Sequence, residues 1–151
     1  SRTIYPLTGV WAADANNVWA VGSEFLKWNG TTWAVLPGPT GTKYSVGSLW
    51  GADAINIWAV GGFGAFAKWD GTAWTGGADG IYESSYAGVW GADVNNVWFL
   101  GLHGISYWDG KATASQSLGT EFDHVLSGGW AIAANNAYVV GSNGTILHKT
   151  R

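Results

Sequence analysis

The sequence repeats one short phrase four times, and each copy begins at a tryptophan. The first copy reads Trp11-Ala-Ala-Asp-Ala-Asn-Asn-Val-Trp-Ala-Val-Gly22, and the later copies begin at Trp50, Trp90 and Trp130. The steps between the leading tryptophans are 39, 40 and 40 residues. A period of about 40 residues indicates a repeat architecture in which each copy is one supersecondary unit. We therefore expect the recurring residues to be scaffold, and function to lie among the residues that differ between copies.

Each copy divides into four short apolar segments separated by turn residues, which predicts four β-strands per repeat. The second segment, 18–21 in the first copy, is apolar at every position, so its strand should be covered on both faces. Asn29-Gly30 and its equivalents favour a tight primed turn between the third and fourth strands. Stacked sheets of this kind predict an all-β fold, a four-bladed β-propeller with about 40 residues per blade and a single domain over 1–151.

The ring of blades needs a closing strand, because the last repeat has three of its four segments. Thr3-Ile-Tyr5 resembles Thr31-Thr-Trp33, which begins an outer strand. We therefore expect residues 1–6 to complete blade four and close the ring. The connection from this strand into the first repeat would be much shorter than the other blade connections. The alternative is an open four-blade unit that pairs with another chain in a larger ring.

Charged residues make up only 11% of the chain, with a net charge of −3 and seven Lys and Arg. So few cations cannot form a basic stripe for a phosphate backbone, which argues against nucleic acid as a partner. No apolar run approaches the length of a membrane span. A chain rich in Trp, Gly, Asn and Thr with few charges favours a β-protein that is extracellular or at the cell surface, while the absence of Cys leaves the redox compartment open.

Most of the 12 tryptophans are expected to pack rather than to bind. Burying one such ring removes roughly 150–250 Å² from water, so residues that recur at one repeat position are best explained as packing between blades. Trp33 and Trp74, on outer strands, are the more exposed candidates. The residues predicted to pack between blades are Trp11, Trp50, Trp90, Trp130, Trp19, Trp58, Trp98 and Tyr138.

No metal or catalytic signature stands out. Asp14, Asp53 and Asp93 align, but each turn holds one carboxylate and Ala133 replaces it in the fourth copy, so turn capping is expected rather than calcium binding. The sequence has no metal-ligand spacing, nucleophile elbow or phosphate loop. It predicts neither enzymatic activity nor a cofactor, although the carbonyls of a narrow axial channel could hold an ion.

One end of the predicted blades differs between repeats. Loops between second and third strands, and the connections between blades, vary in length and content, whereas the turns at the other end are short and repeated. Loops on a rigid scaffold usually carry function, so the variable end is the predicted binding face. Its aromatic, acidic and histidine side chains suit a sugar. The predicted ligand-binding residues are Tyr44, Tyr82, Glu83, Tyr86, His103, Asp123 and His124.

Two functions are consistent with this arrangement. The leading prediction is a non-enzymatic, lectin-like propeller that binds a carbohydrate on its loop face, so that a glycan is its partner. The alternative is a structural or protein–protein interaction domain of a larger secreted or surface protein or assembly. Exposed aromatics on the loop face favour the first, and self-association through sheet edges or the weak fourth blade would favour the second.

The repeated phrase also resembles a known kind of repeat. The pattern Val-Trp-Gly-Ala-Asp-x-Asn-Asn-Val-Trp-x-x-Gly, with Gly144-Thr-Ile-Leu-His148 and Trp-Asn/Asp-Gly-Thr-x-Trp, resembles the Trp-rich propeller repeats of bacterial secreted and surface proteins, notably myxobacterial ones. The resemblance covers nearly the whole chain and implies the propeller fold. The segment 69–74 is distantly similar to the Asp-box of sialidase-type propellers, without its full form. The chain is also similar in style to small propeller lectins, whose sugar-contacting residues do not map onto it.

Overall fold

A computed structural model of the chain describes residues 4–40, 45–77, 85–101, 104–117 and 125–150. All its regular elements are strands, apart from single 3₁₀ turns at Gly62–Gly64 and Ser142–Gly144. The strands are β1 (Leu7–Asp14), β2 (Asn17–Gly22), β3 (Phe25–Trp28), β4 (Trp33–Leu36), β5 (Val46–Asp53), β6 (Asn56–Gly61), β7 (Phe66–Trp69), β8 (Trp74–Gly77), β9 (Tyr86–Asp93), β10 (Asn96–Gly101), β11 (Gly104–Trp108), β12 (Thr113–Ser117), β13 (Leu126–Ala133), β14 (Asn136–Gly141) and β15 (Ile146–Lys149).

The strands form four antiparallel sheets in sequence order. Three sheets have four strands each, β1–β4, β5–β8 and β9–β12, and the last has the three strands β13–β15. Each sheet is a meander in which every strand pairs with the next, as in a propeller blade. The predicted four-bladed β-propeller fold is therefore confirmed. The repeat also sets the register between the first two strands of each blade, which pairs Trp11 with Trp19, Trp50 with Trp58, Trp90 with Trp98 and Trp130 with Tyr138.

The aspartate of the repeated turn caps that turn, as predicted. Asp14 Oδ1 accepts hydrogen bonds from the backbone N–H of Asn16 at 2.7 Å and from Asn17 Nδ2 at 3.1 Å. Asp53 and Asp93 make the same pair of bonds in the next two blades. These bonds explain why Asp and Asn recur together. In each of these turns the carboxylate accepts a hydrogen bond from the backbone N–H two residues later and another from the side-chain amide of the asparagine three residues later.

The hairpin between the third and fourth strands combines a two-residue turn with a side-chain cap. Trp28 pairs with Trp33, so the loop has four residues, 29–32. Asn29 Oδ1 accepts the backbone N–H of Thr31 at 3.0 Å and that of Thr32 at 2.9 Å. The Asn29 N–H donates to the Thr32 carbonyl at 3.3 Å, and of the two residues between them only Gly30 has a positive φ, at 92°. A positive φ at the first central residue alone excludes a type I′ turn and is compatible with the other primed turn, type II′.

Neighbouring blades pack through a tryptophan of one inner strand that lies on a glycine of the next. A Cβ built on Gly51 would lie 2.7 Å from the Trp11 ring, and one on Gly91 would lie 2.4 Å from the Trp50 ring. Only a residue without a side chain permits such an approach. The second strands of blades two and three are buried beside these contacts, which confirms that they are covered on both faces, whereas in blade one Val18 of β2 is half-buried.

Lysines reinforce these interfaces from the third strand. Lys27 Nζ lies 4.9 Å from the ring centre of Trp19 in its own blade and 5.6 Å from that of Trp69 in the next. Lys68 bridges Trp58 and Trp108 in the same way at the following interface. A cation held between two indole faces is attracted by both ring quadrupoles. One lysine therefore links two adjacent sheets.

The outer-strand tryptophans show which blade has a neighbour behind it. Trp74 of blade two is buried, with its ring centre 4.8 Å from that of Phe25 in blade one. Trp33 holds the equivalent position in blade one and is half-buried. The prediction that both would be exposed was thus wrong for Trp74, because the preceding blade covers it.

The ring is open between the first and last blades. β5 packs on β1, β9 on β5 and β13 on β9, but β13 does not pack on β1. Trp130 is 68% exposed, whereas Trp90 at the same repeat position is 5% exposed. Tyr138 is also exposed, so the predicted packing between blades was wrong for these two residues, on which no described strand packs from a following blade.

The predicted closing strand is not found among the described residues. Residues 4–6 are not a strand, residues 1–3 lie outside the described part, and β15 pairs there only with β14. The reason is the length of the chain. An outer strand and the next inner strand are three strand spacings apart, about 14 Å, whereas the step from Tyr5 to Leu7 spans at most about 7 Å. Pro6 instead lies beside blade one, where its carbonyl accepts the N–H of Ser23 at 3.2 Å.

Candidate interaction surfaces

Of the seven residues predicted to bind a ligand on the loop face, one, Tyr86, is among the described residues. The other six residues predicted to bind a ligand lie outside the described residues, so their gathering in one site stays a prediction. These six are Tyr44, Tyr82, Glu83, His103, Asp123 and His124.

Tyr86 lies in a small apolar cleft between blades two and three. Its ring centre is 6.0 Å from that of Phe99, and Gly64, Phe66 and Thr113 complete the lining of a cleft of about 280 Å³. Phe66 is 47% exposed at this position. A lining of three aromatic rings, a glycine and a threonine offers few partners for sugar hydroxyls. It suits an apolar side chain better.

A strained turn positions one wall of this cleft. Phe63, in the 3₁₀ turn before β7, has a φ of 57° and a ψ of 36°, in the left-handed region. Its N–H donates to Ser85 Oγ at 3.0 Å, which ties the turn to the residue before β9. Asn143 has nearly the same angles at the equivalent position of blade four. The left-handed conformation is therefore shared by blades two and four, and Phe63 is a costly residue for it.

The outward side of blade four is an exposed apolar surface. Trp130, Tyr138 and His148 lie opposite one another on three adjacent strands, and Val140 and Ile146 form a second pair on the same side. Residues directly opposite on paired strands share one side of the sheet. The His148 ring stacks on Tyr138 with 4.1 Å between centres and 6° between planes. We call these five residues the blade-four face.

The outward side of blade one is a second exposed apolar surface. Val10 is 69% exposed, whereas Leu49 at the same repeat position of blade two is 8% exposed. Val18 pairs with Trp28, and Trp28 pairs with Trp33, so these three side chains lie on one side of the sheet. Val10 lies on the same side, because it pairs with Ala20, which is two residues after Val18 on β2. Val18, Trp28 and Trp33 are half-buried. We call Val10, Val18, Trp28 and Trp33 the blade-one face.

The carboxylates at the repeated-turn end are engaged in turns. Backbone N–H groups of Ala73 and Thr72 lower the pKa of Asp70 to about 2. The backbone N–H of Ala112, followed by that of Lys111, lowers the pKa of Asp109 in the same way. Such shifts come from hydrogen bonds to the charged form. These exposed groups therefore act as turn acceptors, not as poised acids or bases.

Within the described ranges, no three His, Asp or Glu side chains come together as a group that could hold a metal ion. In the same ranges, no helix has the length and apolar character needed to cross a membrane.

The sequence pattern did not reveal the two faces. Trp130 carries the same repeat signature as Trp90, so the pattern predicts the same burial for both. The available signal was the position of each residue in the array, because the first and last units of a stack each lack one neighbour.

Comparisons with known proteins bear on the fold. No family model and no curated protein matches this chain. Among solved structures, YCF48 from Cyanidioschyzon merolae aligns with 99% of the chain at a TM-score of 0.70 and 18% identity. YCF48 bound to D1 peptide aligns with all of it at a TM-score of 0.74 and 14% identity. In both cases this chain spans 52% of the other chain, about half its length.

A designed protein has a similar structure over nearly equal lengths. The computationally designed Ika4 protein aligns with 99% of this chain and 93% of its own, at a TM-score of 0.76 and 16% identity. At such identities the likeness shows the β-propeller fold. It carries no function across.

Proposed function

We propose that this chain is a non-enzymatic protein-interaction propeller whose polypeptide partner covers the blade-one and blade-four faces. One observation carries the proposal. Repeat positions that are buried at the internal interfaces, such as Leu49 and Trp90, have exposed counterparts at the two ends, Val10 and Trp130. Water contact at these apolar side chains is unfavourable, and a covering partner would remove it.

The composition of the faces supports a protein partner. Trp130 and Tyr138 are of the residue types that dominate the energetic centres of protein interfaces. None of the nine residues of the two faces is Asp, Glu, Lys or Arg, and interface centres are likewise poor in charge. Contiguous apolar surface of this kind marks interaction sites on soluble proteins.

A polypeptide partner is also favoured over the predicted glycan. The only described residue of the predicted sugar site, Tyr86, lies in a cleft with few polar groups. A protein of similar fold, YCF48, has been solved with a D1 peptide bound. Few charges and many tryptophans favour an extracellular or cell-surface location, which we keep as part of the proposal.

Photo-crosslinking tests the proposal. A benzophenone amino acid replaces Trp130 in one variant and Thr72, an exposed hairpin residue, in a matched control. Each variant is irradiated as purified protein and in the cells that produce it. We expect polypeptide adducts from position 130 and none from position 72. Equal adducts from both positions, or none from position 130 in either setting, would contradict the proposed function.

A further inference from the structure

We propose that the partner is a second copy of this chain, and that two copies form one closed ring of eight blades. This inference rests on the proposed function and names its partner. The blade-four face of each copy would cover the blade-one face of the other. The ring would thus contain two identical new interfaces related by a twofold axis.

The chain itself shows what covers each face. We call the side of a blade that faces the next blade in the chain its forward side, and the opposite side its backward side. At every internal interface, the forward side of one blade, with Trp11, Trp50 or Trp90, packs on the backward side of the next. The blade-four face is a forward side, and the blade-one face is a backward side. One unused example of each is present, so two copies contain both halves of the missing interfaces. A surface that matches its own counterpart elsewhere on the molecule generates rings or filaments.

The aromatic residues at the open ends match those of the internal interfaces. At the first interface, Lys27 lies over Trp19 of its own blade and faces Trp69 of the next. In blade four, His148 stacks on Tyr138 at the positions of Lys27 and Trp19. In blade one, Trp28 holds the position of Trp69. Both tryptophans donate their indole N–H to a turn carbonyl, so they are oriented alike.

In the proposed ring, His148 of one copy therefore lies between its own Tyr138 and Trp28 of the other copy. The new interface would repeat the lysine bridge with an imidazole ring. Aromatic residues packed in this way contribute beyond their buried area.

The extent of the arc fits two copies. The four blades align with about half of the YCF48 chain, so two copies supply about the amount of chain that YCF48 has.

The lack of a glycine in blade one makes the new interface less close than the internal ones. Trp11 and Trp50 lie on Gly51 and Gly91, whose counterpart in blade one is Ala12. At the third interface Ala131 holds that position and Trp90 lies on Gly129, whose counterpart in blade one is Val10. Since a Cβ on Gly51 would lie only 2.7 Å from the indole, the Ala12 methyl must hold Trp130 of the other copy further away. The substitution Ala12→Gly should therefore tighten the pairing of copies.

Two charge substitutions test the proposal. Trp130→Glu damages the blade-four face, and Val10→Glu damages the blade-one face. Because both side chains are exposed in one chain, each variant should fold, as circular dichroism at low concentration would show. A dimer of either variant has a carboxylate in both interfaces, so we expect its affinity to be about a hundredfold lower than that of the unmodified dimer.

Mixing the two variants gives the decisive result. A mixed pair has one interface with both substitutions and one with neither, so we expect native mass spectrometry to detect a mixed dimer more abundant than either homodimer. Ala12→Gly should strengthen the unmodified dimer. A dimer that survives Val10→Glu, or no recovery on mixing, would overturn the pairing of blade four with blade one. Filaments or larger rings of the unmodified chain would overturn the closed ring of two.

The partner and the proposed function can fail separately. If the unmodified chain is monomeric and the probe at position 130 captures only a different polypeptide in cells, the second copy is ruled out and the protein-interaction function stands. If the probe at position 130 captures no polypeptide at all, both fail.

Discussion

At the scale of single residues, the repeated turn shows how one carboxylate serves two donors. Asn96 directs Nδ2 to Asp93, while its Oδ1 accepts the Tyr107 hydroxyl hydrogen bond. Asn136 in blade four has its Oδ1 near His148 Nε2 at 3.0 Å, so its amide is oriented in the same way. Ala133 occupies the place of the aspartate and supplies no acceptor.

The substitution Ala133→Asp should therefore stabilise the chain. The new carboxylate would accept the N–H of Asn135 and the amide of Asn136, which contributes roughly 0.5–1 kcal/mol to the free energy of unfolding. Urea denaturation at low protein concentration measures this change. The matched control Asp93→Ala should lower stability. A stabilisation of zero for Ala133→Asp would show that the fourth turn is not equivalent.

Asp70 makes stability depend on pH in acid. Its pKa of about 2 in the folded chain lies below the ordinary 3.8, so its charge stabilises the fold above pH 3.8 and this contribution is lost as the pH falls towards 2. Asp70→Asn keeps a neutral cap, as Asn29 does in blade one. The stability difference between the original chain and Asp70→Asn should therefore shrink from pH 5 to about pH 2.

Asn29→Asp is the matched control for this titration. It should gain an acid-dependent contribution of the same sign, because the same two backbone donors face the side chain. A stability difference between Asp70→Asn and the original chain that is the same at every pH would contradict the role of the Asp70 charge in the turn.

At the scale of elements, neighbouring blades are joined by contacts in which a tryptophan ring of one blade lies on a glycine of the next. Gly91→Ala places a methyl 2.4 Å from the Trp50 ring and 2.8 Å from the Asn96 carbonyl, and neither can move freely. We expect a loss of about 1–3 kcal/mol, since overpacking a close contact shifts both sheets. Gly47→Ala is the control, because its nearest neighbour would be Thr8 Oγ1 at 4.0 Å. Denaturation of both variants tests the contact, and equal stabilities would contradict it.

The elements were the most predictable level of this structure. The turn residues and the apolar second segments determine where strands begin and pair, and both recur in every repeat. The type of hairpin turn was less predictable, because Asn29-Gly30 fits more than one primed turn and the dipeptide alone does not show the hydrogen bonds that Asn29 Oδ1 accepts. The burial of Trp74 depends on Phe25 of another blade, which the local sequence does not show.

At the scale of the whole molecule, the number of blades follows from the repeat, but the closure does not. Each repeat encodes its contact with the next blade and carries no count of how many are needed to complete a circle. The exposure of Val10 and Trp130 therefore follows from arrangement rather than from residue type. Six of the seven residues of the predicted sugar site lie outside the described part of the chain, so that site stays a prediction.

A two-copy ring also predicts how heat stability changes with concentration. If folding is coupled to the pairing of the two faces, the melting temperature of the unmodified chain should rise with protein concentration. The melting temperature of Trp130→Glu should not change with protein concentration. Differential scanning calorimetry over a wide range of concentrations measures both. Equal slopes for the two proteins would contradict a link between Trp130 and assembly.

The most direct test is the molar mass of the unmodified chain in solution. Sedimentation equilibrium should give twice the chain mass of 15.9 kDa at high concentration, with dissociation towards 15.9 kDa on dilution. The same experiment on Trp130→Glu should give 15.9 kDa throughout. A mass of 15.9 kDa for the unmodified chain at every concentration would contradict the pairing of its two open ends.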